Sequence, residues 1–209
     1  MPVGSGAPEN RPPPDEAPPG NNPPGERPIT VEPLAALSPA RRFRALAGID
    51  RIFFEASSVR SFESRSARIA FHWLWLGRYL VEEPAHAFVA LEDGAAGCDV
   101  AGYLVGSLAD PAPRPEFANL DYFAAFADVT ARFPAHLHVN VCAARRGARI
   151  GEHLVAAFER HAAAAGAPGV HIVTGAGMRN VGFYERLGFH EVGRTPRGRG
   201  IVVMLAKPL

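Results

Sequence analysis

The stretch from Phe133 to Gly188 constrains this chain most, because it sets a strand, a turn, a helix, a strand and a short helix in unbroken succession. The run His136-Leu137-His138-Val139-Asn140-Val141 alternates as a strand does. It leads into the turn Arg145-Arg146-Gly147-Ala148-Arg149-Ile150-Gly151. From there Ile150, Leu154, Val155, Phe158 and Ala162 recur at helical spacing, and Gly166 followed by Pro168 marks the stop. Val170 to Thr174 reads as a second strand, and Asn180 to Leu187 as a short helix. A glycine-bearing turn that opens a helix points backbone N–H groups outward, where they can cradle a pyrophosphate. The competing reading of the turn is an ordinary helix entry with solvated arginines.

Two motifs in this stretch resemble the acetyl-CoA-binding core of the GCN5-related N-acetyltransferases, the GNAT superfamily. In the turn, Arg146 and Gly151 match the ends of the family pattern, while Arg149 stands where an internal glycine is usual. That glycine lets the backbone approach a pyrophosphate without a Cβ in the way. About thirty residues on, Asn180-Val181-Gly182-Phe183-Tyr184 and the following Gly188-Phe189 match the last family motif. The motifs cover roughly the last third of the chain. The resemblance implies an α/β fold with a mixed, mostly antiparallel central sheet, flanked by helices and splayed at the cofactor site.

It also implies roles, residue by residue. The main chain of Val139 and Val141 matches the positions that pair with the pantetheine arm; Arg146, Gly147, Ala148, Arg149, Ile150 and Gly151 match the phosphate anchor. Asn180 matches a residue that bonds the arm or an ordered water, and its own chemistry equally suits a helix N-cap. Tyr184 matches the acid that protonates the departing thiolate; a phenol with an ordinary pKa near 10 is protonated at neutral pH. The general base is open. His136, His138 and Asn140 share one strand face, and His138 is the catalytic candidate, against the alternative of histidines hydrogen-bonded on a covered face. The implied activity is acetyl transfer from acetyl-CoA to an amine of a small molecule or peptide, by direct attack in a ternary complex. Other acyl donors, oxygen acceptors, and a non-catalytic acyl-CoA-binding or interaction module are the alternatives. A homodimer is open.

Composition narrows the remainder. The 209 residues suit one domain and a tail, and a net charge of +1 gives no nucleic-acid footprint. The cysteines, Cys98 and Cys142, are too few for a disulfide framework. No signal peptide or membrane-spanning run is visible, so a cytoplasmic protein is expected. No metal-ligand spacing is present, and Cys142 reads as a small buried side chain. Residues 1–30 hold ten of the twenty prolines and read as a disordered tail, with the acetyltransferase-like domain over 31–209. Ser38-Pro39 starts a helix to about Ser57 whose apolar positions are Phe43, Leu46, Ile49, Ile52 and Phe53. A second helix runs from near Ser64 to Val81, with Ile69, Trp73, Leu76 and Leu80 as the core stripe. His86 to Leu91 and Val100 to Leu108 form an antiparallel hairpin. Residues 109–134 form a loop with a short helix, whose Phe117, Tyr122, Phe123 and Phe126 cover the sheet. Gly200 to Leu205 is a last strand, and His153 and His161 are expected to face solvent.

Overall fold

The computed structural model describes residues 28–94 and 97–209, with the side chains of 93–99 left aside. Seven strands form one sheet in the order β1-β2-β3-β4-β5-β7-β6. They are β1 (Ile29–Pro33), β2 (Phe88–Gly94), β3 (Gly97–Ser107), β4 (Ala135–Val141), β5 (Gly169–Gly175), β6 (His190–Arg197) and β7 (Gly200–Pro208). β4 and β5 pair in parallel and every other neighbouring pair is antiparallel. The expected mixed, mostly antiparallel sheet is therefore present. β1 and β6 are strands that the periodicity reading had not drawn. β1 pairs with β2 from Ile29 onward, so the ordered sheet starts two residues before the expected boundary at 31, while residues 1–27 lie outside the described chain.

Helices cover both faces. On one lie α1 (Pro39–Ala56), α2 (Arg65–His72) and α3 (Arg78–Glu82); on the other lies α6 (Ile150–Ala164), with α7 (Asn180–Arg186) beside it. The short helices α4 (Tyr122–Ala125) and α5 (Ala127–Thr130) replace the single one expected in the loop. Alternation along each strand sends successive side chains to opposite layers. Thus Tyr103 and Val105 join the α1 layer and Leu104 the α6 layer, while a bulge opposite Ala90 and Leu91 shifts the phase so that Val100 joins the first and Ala101 the second. The α6 positions read from sequence are all buried. Phe117, Tyr122, Phe123 and Phe126 are buried too, as expected.

The α1 side departs from its pattern. Phe43 is 78% exposed, while the expected Ile49, Ile52 and Phe53 are buried and Ala45 joins them. Gly48 lets α1 settle on β3, since a Cβ there would meet Val100 Cγ2 at 2.6 Å. α2 begins as expected, with the Ser64 hydroxyl accepting from Ala67 N–H at 3.1 Å. Residues Trp73–Gly77 then form a π-helical turn before α3. Such a turn holds an extra residue and rotates the helix face. Ile69 and Trp73, expected in the core, are accordingly 58% and 41% exposed, whereas Leu76 and Tyr79 are buried.

Candidate cofactor cleft

The geometry that matters starts at β4. It pairs with β5 only through Ala135↔Val170 and His136↔His171, although both strands run on for several residues. Beyond His136 the two strands part. The released edge of β4 carries backbone groups that have lost their neighbour on that side, and such groups demand partners. This is the expected splay.

A cleft of about 570 Å³ opens where the strands diverge. Its walls bring together Val139, Asn140 and Val141 of β4, the turn residues Arg146, Gly147 and Arg149, the start of α6 at Ile150 and Gly151, and Asn180 and Tyr184 of α7. Of the residues expected to hold a cofactor, Ala148 alone is absent from this wall. The ladder of α6 starts with His153 N–H donating to the Arg149 carbonyl at 3.1 Å. The N–H groups of Ile150, Gly151 and Glu152 therefore precede the helical bonds and sit at the positive end of a 15-residue helix. Gly151 is needed there for packing, because a Cβ would come within 3.1 Å of Phe183 Cζ.

Arg149, which replaces the usual glycine, adopts the left-handed conformation at φ 57° and ψ 12° and caps α6. Gly147 has a positive φ of 91° beside it. The backbone thus takes the turn that glycine would favour, at a cost of about 1–2 kcal/mol for a residue with a Cβ. The Arg149 side chain points outward and donates to Glu152 Oε2 at 2.8 Å. Arg145 is held as well: it forms a two-armed ion pair with the buried Glu92 of β2, with Nε at 3.1 Å from Oε2. Its charge braces the turn rather than standing free for a phosphate. Among the described residues, Arg146 shows no carboxylate partner.

Tyr184 lines the cleft while its ring packs edge-on against Phe183 and Phe189, at 5.0 and 5.4 Å between centroids. Burial pushes its phenol well above the ordinary value, so the hydroxyl keeps its proton at neutral pH. Asn180 accepts from Thr174 Oγ1 at 2.9 Å, which ties α7 to the end of β5. It is the first helical residue; the N-cap position belongs to Arg179, so the capping alternative for Asn180 is corrected.

His136, His138 and Asn140 do share one face of β4, the face turned to α1 and α3. Asn140 donates to Tyr103 Oη at 2.9 Å and also lines the cleft. His138 does not line it. Its Nε2 lies 3.2 Å from Tyr79 Oη, and Trp75 stands edge-on at 5.6 Å. Burial, with lesser pushes from His171 and Arg78, lowers its pKa to about 4. His136 is fully covered between Phe117 and His171, and burial holds it well below its usual range. His153 is exposed as expected, but His161 is half-buried and lies 2.8 Å from His86 Nδ1. Cys142 is half-buried and free.

Sequence reasoning missed Met178, Arg179, Phe183 and Arg186 on the cleft wall, and Glu92 as the partner of Arg145. The helical spacing after Asn180 was the available signal for Phe183 and Arg186. Nothing local marked Glu92, 53 residues away. A second opening, of about 630 Å³, lies between α1 and α2 and is lined by Asp50, Phe54, Arg68 and His72 among others. It is of similar size, but the motif residues lie elsewhere. The openings approach each other at the end of α1, where Glu55 lines one and Ala56 the other. Among the described residues no group of three His, Cys, Asp or Glu side chains could hold a metal ion, and no helix is long and apolar enough to cross a membrane.

A sheet parted between two parallel strands, with a helix N-terminus and an arginine-bearing turn at the gap, defines the class of acyl-CoA-type transferase folds. Comparison with known proteins agrees. The model of the acetyltransferase (GNAT) family matches residues 49–189, and the chain belongs to that family. Solved structures with the same fold include SsHAT, at 22% identity and a TM-score of 0.61 over 86% of this chain and 98% of that one. A chain of the NatC complex bound to Gag peptide and CoA shares 17% identity, with a TM-score of 0.59 over 87% of this chain and 98% of that one. A GCN5-related N-acetyltransferase from Kribbella flavida shares 18%, with a TM-score of 0.57 and coverage of 87% and 98%.

Proposed function

We propose that this protein transfers an acetyl group from acetyl-CoA to an amine, by direct attack with both substrates bound. The observation that carries the reading is the meeting, in one cleft, of the free β4 edge, the α6 N-terminus and Tyr184. The donor would supply an activated acetyl group on a thioester. The parts of this chain fit it: unpaired β4 main chain suits an amide-bearing arm, and leading N–H groups with Arg146 suit a diphosphate. A known CoA complex supports the donor by likeness of fold alone.

The residues then divide the work. Main-chain N–H groups at Val139 or Val141 hydrogen-bond the thioester oxygen and stabilise the charge that grows on it. The amine arrives neutral after giving its proton to water; its nitrogen bonds the carbonyl carbon as the C–S bond breaks, and the surplus proton left on that nitrogen passes to water to give the neutral amide. Tyr184, kept protonated by burial, passes its proton to the leaving sulfur and is reprotonated from solvent. His138 is assigned here to the covered network with Tyr79 and not to proton abstraction, because it stands off the cleft wall.

Calorimetric titration of the full chain with acetyl-CoA tests this, beside Arg146→Glu. The expected result is micromolar binding that the substitution abolishes, followed by CoA thiol release with members of an amine panel. A folded wild-type protein that binds no acetyl-CoA would overturn the reading.

A further inference from the structure

His86 and His161 meet outside the cleft, and no step of the transfer uses them. His86 ends the one-turn helix Pro84–His86 that leads from α3 into β2, and His161 stands in the last turn of α6. Because α3 and α6 lie on opposite faces of the sheet, the contact ties the two helix layers together. His86 Nδ1 lies 2.8 Å from His161 Nε2, with ring centroids 5.0 Å apart and Phe88 of β2 edge-on to His161 at 5.5 Å. The other His86 nitrogen, Nε2, lies 3.5 Å from Glu83 Oε2. Glu83 is itself held, since its Oε1 accepts from Ser107 Oγ at 3.0 Å and from Arg114 Nη1 at 3.1 Å. The charged groups around the pair are therefore Glu83 at the end of α3 and, behind it, Arg114 with its second partner Glu116. Phe88 and Ser107 bring no charge from β2 and β3.

We infer that His86 and His161 form a proton-operated tie between the two helix layers, closed by one proton between the facing nitrogens and opened when each nitrogen carries its own. A neutral imidazole has one N–H and one acceptor. Glu83 draws the His86 proton to Nε2, so Nδ1 accepts from His161 Nε2–H. A proton added at His161 Nδ1 leaves that bond in place and makes it charge-assisted. A further proton at His86 Nδ1 sets two N–H groups face to face, and the bond is lost. Burial first, and then the neighbouring His161, hold the His86 pKa below its ordinary value, against an opposing pull from Glu83. The folded chain thus resists a proton that the unfolded chain accepts near pH 6.5. The tie's stabilising share is complete above that pH and is lost as the pH falls below it. The device stands at the far end of the helix whose N-terminus opens the cleft, and it holds whether or not the acyl-CoA reading does.

The test is an NMR titration of the full-length protein from pH 8 to pH 5, reading the histidine ring protons, beside amide hydrogen exchange. In wild type the His86 and His161 rings should each follow two steps, because each senses the other's proton. His161→Ala should leave His86 a single step, displaced to higher pH. The Ala165 N–H, which donates to the His161 carbonyl at 3.1 Å, reports the end of α6. Its protection, taken relative to Leu154 in the same helix, should fall about tenfold between pH 7 and pH 5 in wild type. His161→Gln should keep the tie and remove the fall, since a carboxamide can donate to His86 or, turned over, accept from it. A His86 titration unchanged by His161→Ala overturns the inference. So does relative protection of Ala165 that is the same at both pH values in wild type. An equal fall in His161→Gln overturns it as well, because opening would then need no second imidazole charge.

Discussion

The two faces of β4 are built on different terms. Toward α6 and α7, Leu137, Val139 and Val141 meet apolar side chains, and the strand leads into the arginine-bearing turn that opens α6. Toward α1 and α3, His136, His138 and Asn140 meet hydroxyls and rings: Tyr79, Trp75, Tyr103 and Phe117. The side chains of the first face seal the core, and the main-chain groups left open lie on the edge between the faces, where β5 has parted, beside Tyr184 of α7. On the second, His138 and Asn140 are held in hydrogen bonds to tyrosine hydroxyls, and His136 is packed among aromatic rings. One strand thus leaves its backbone open along an edge while its most reactive-looking side chains are taken up in packing on a face.

The largest expected effect falls on the first face. Tyr184→Phe should lower kcat about a hundredfold, within the range for loss of a general acid, with little change in acetyl-CoA affinity. Steady-state kinetics beside calorimetry would show it, and an unchanged kcat would remove Tyr184 from proton transfer. Next comes the brace under the turn. Arg145→Ala leaves the buried Glu92 carboxylate unpaired, which should cost about 2 kcal/mol in urea unfolding, moderated because the arginine is half-open to solvent. If acetyl-CoA affinity fell sharply while stability held, Arg145 would have to be a phosphate ligand after all.

The second face should answer to acid and not to turnover. His138 has its pKa lowered from 6.5 to about 4, so the folded state resists a proton that the unfolded chain accepts. Its stabilising share is complete above about pH 6.5 and is lost as pH falls toward 4. His138→Ala should therefore reduce the stability difference between pH 7 and pH 5 by about 1 kcal/mol. It should also leave the pH–rate profile near neutrality in place. Loss of that profile's acidic limb would make the faces alike and restore His138 as a base. The smallest effect belongs to Arg149→Gly. Relief of the left-handed conformation should raise stability by about 0.5–1 kcal/mol, offset in part by the lost contact with Glu152. A loss of stability would mean that the ion pair outweighs the backbone strain.

What could be read in advance follows the same division. The α6 face was legible to the residue, because Ile150, Leu154, Val155, Phe158 and Ala162 obey one uninterrupted period. The motif residues Val139, Val141, Arg146, Gly151, Asn180 and Tyr184 were legible as a set, and the fold gathers them into one cleft. The α2 stripe failed because a π turn breaks the period that the reading assumed. β6 escaped because Gly193, Pro196 and its many exposed positions blur any alternation; the close packing of Gly193 on Phe126, 2.8 Å from a would-be Cβ, is a tertiary fact. The Arg145–Glu92 pair and the His86–His161 contact join residues 53 and 75 apart, beyond the reach of any local pattern.

The π turn at Trp73–Gly77 has a mechanical consequence of its own. One surplus residue there sets the phase between the two ends of a single helical rod. Upstream, Arg68, Ile69 and His72 rim the opening beside α1; downstream, Tyr79 is locked to His138. Deleting one residue from the turn would rotate one end against the other by about 100°. The rim and the buried anchor could not then both keep their places. The turn thus fixes the angle at which the outer wall stands relative to the histidine network beneath it.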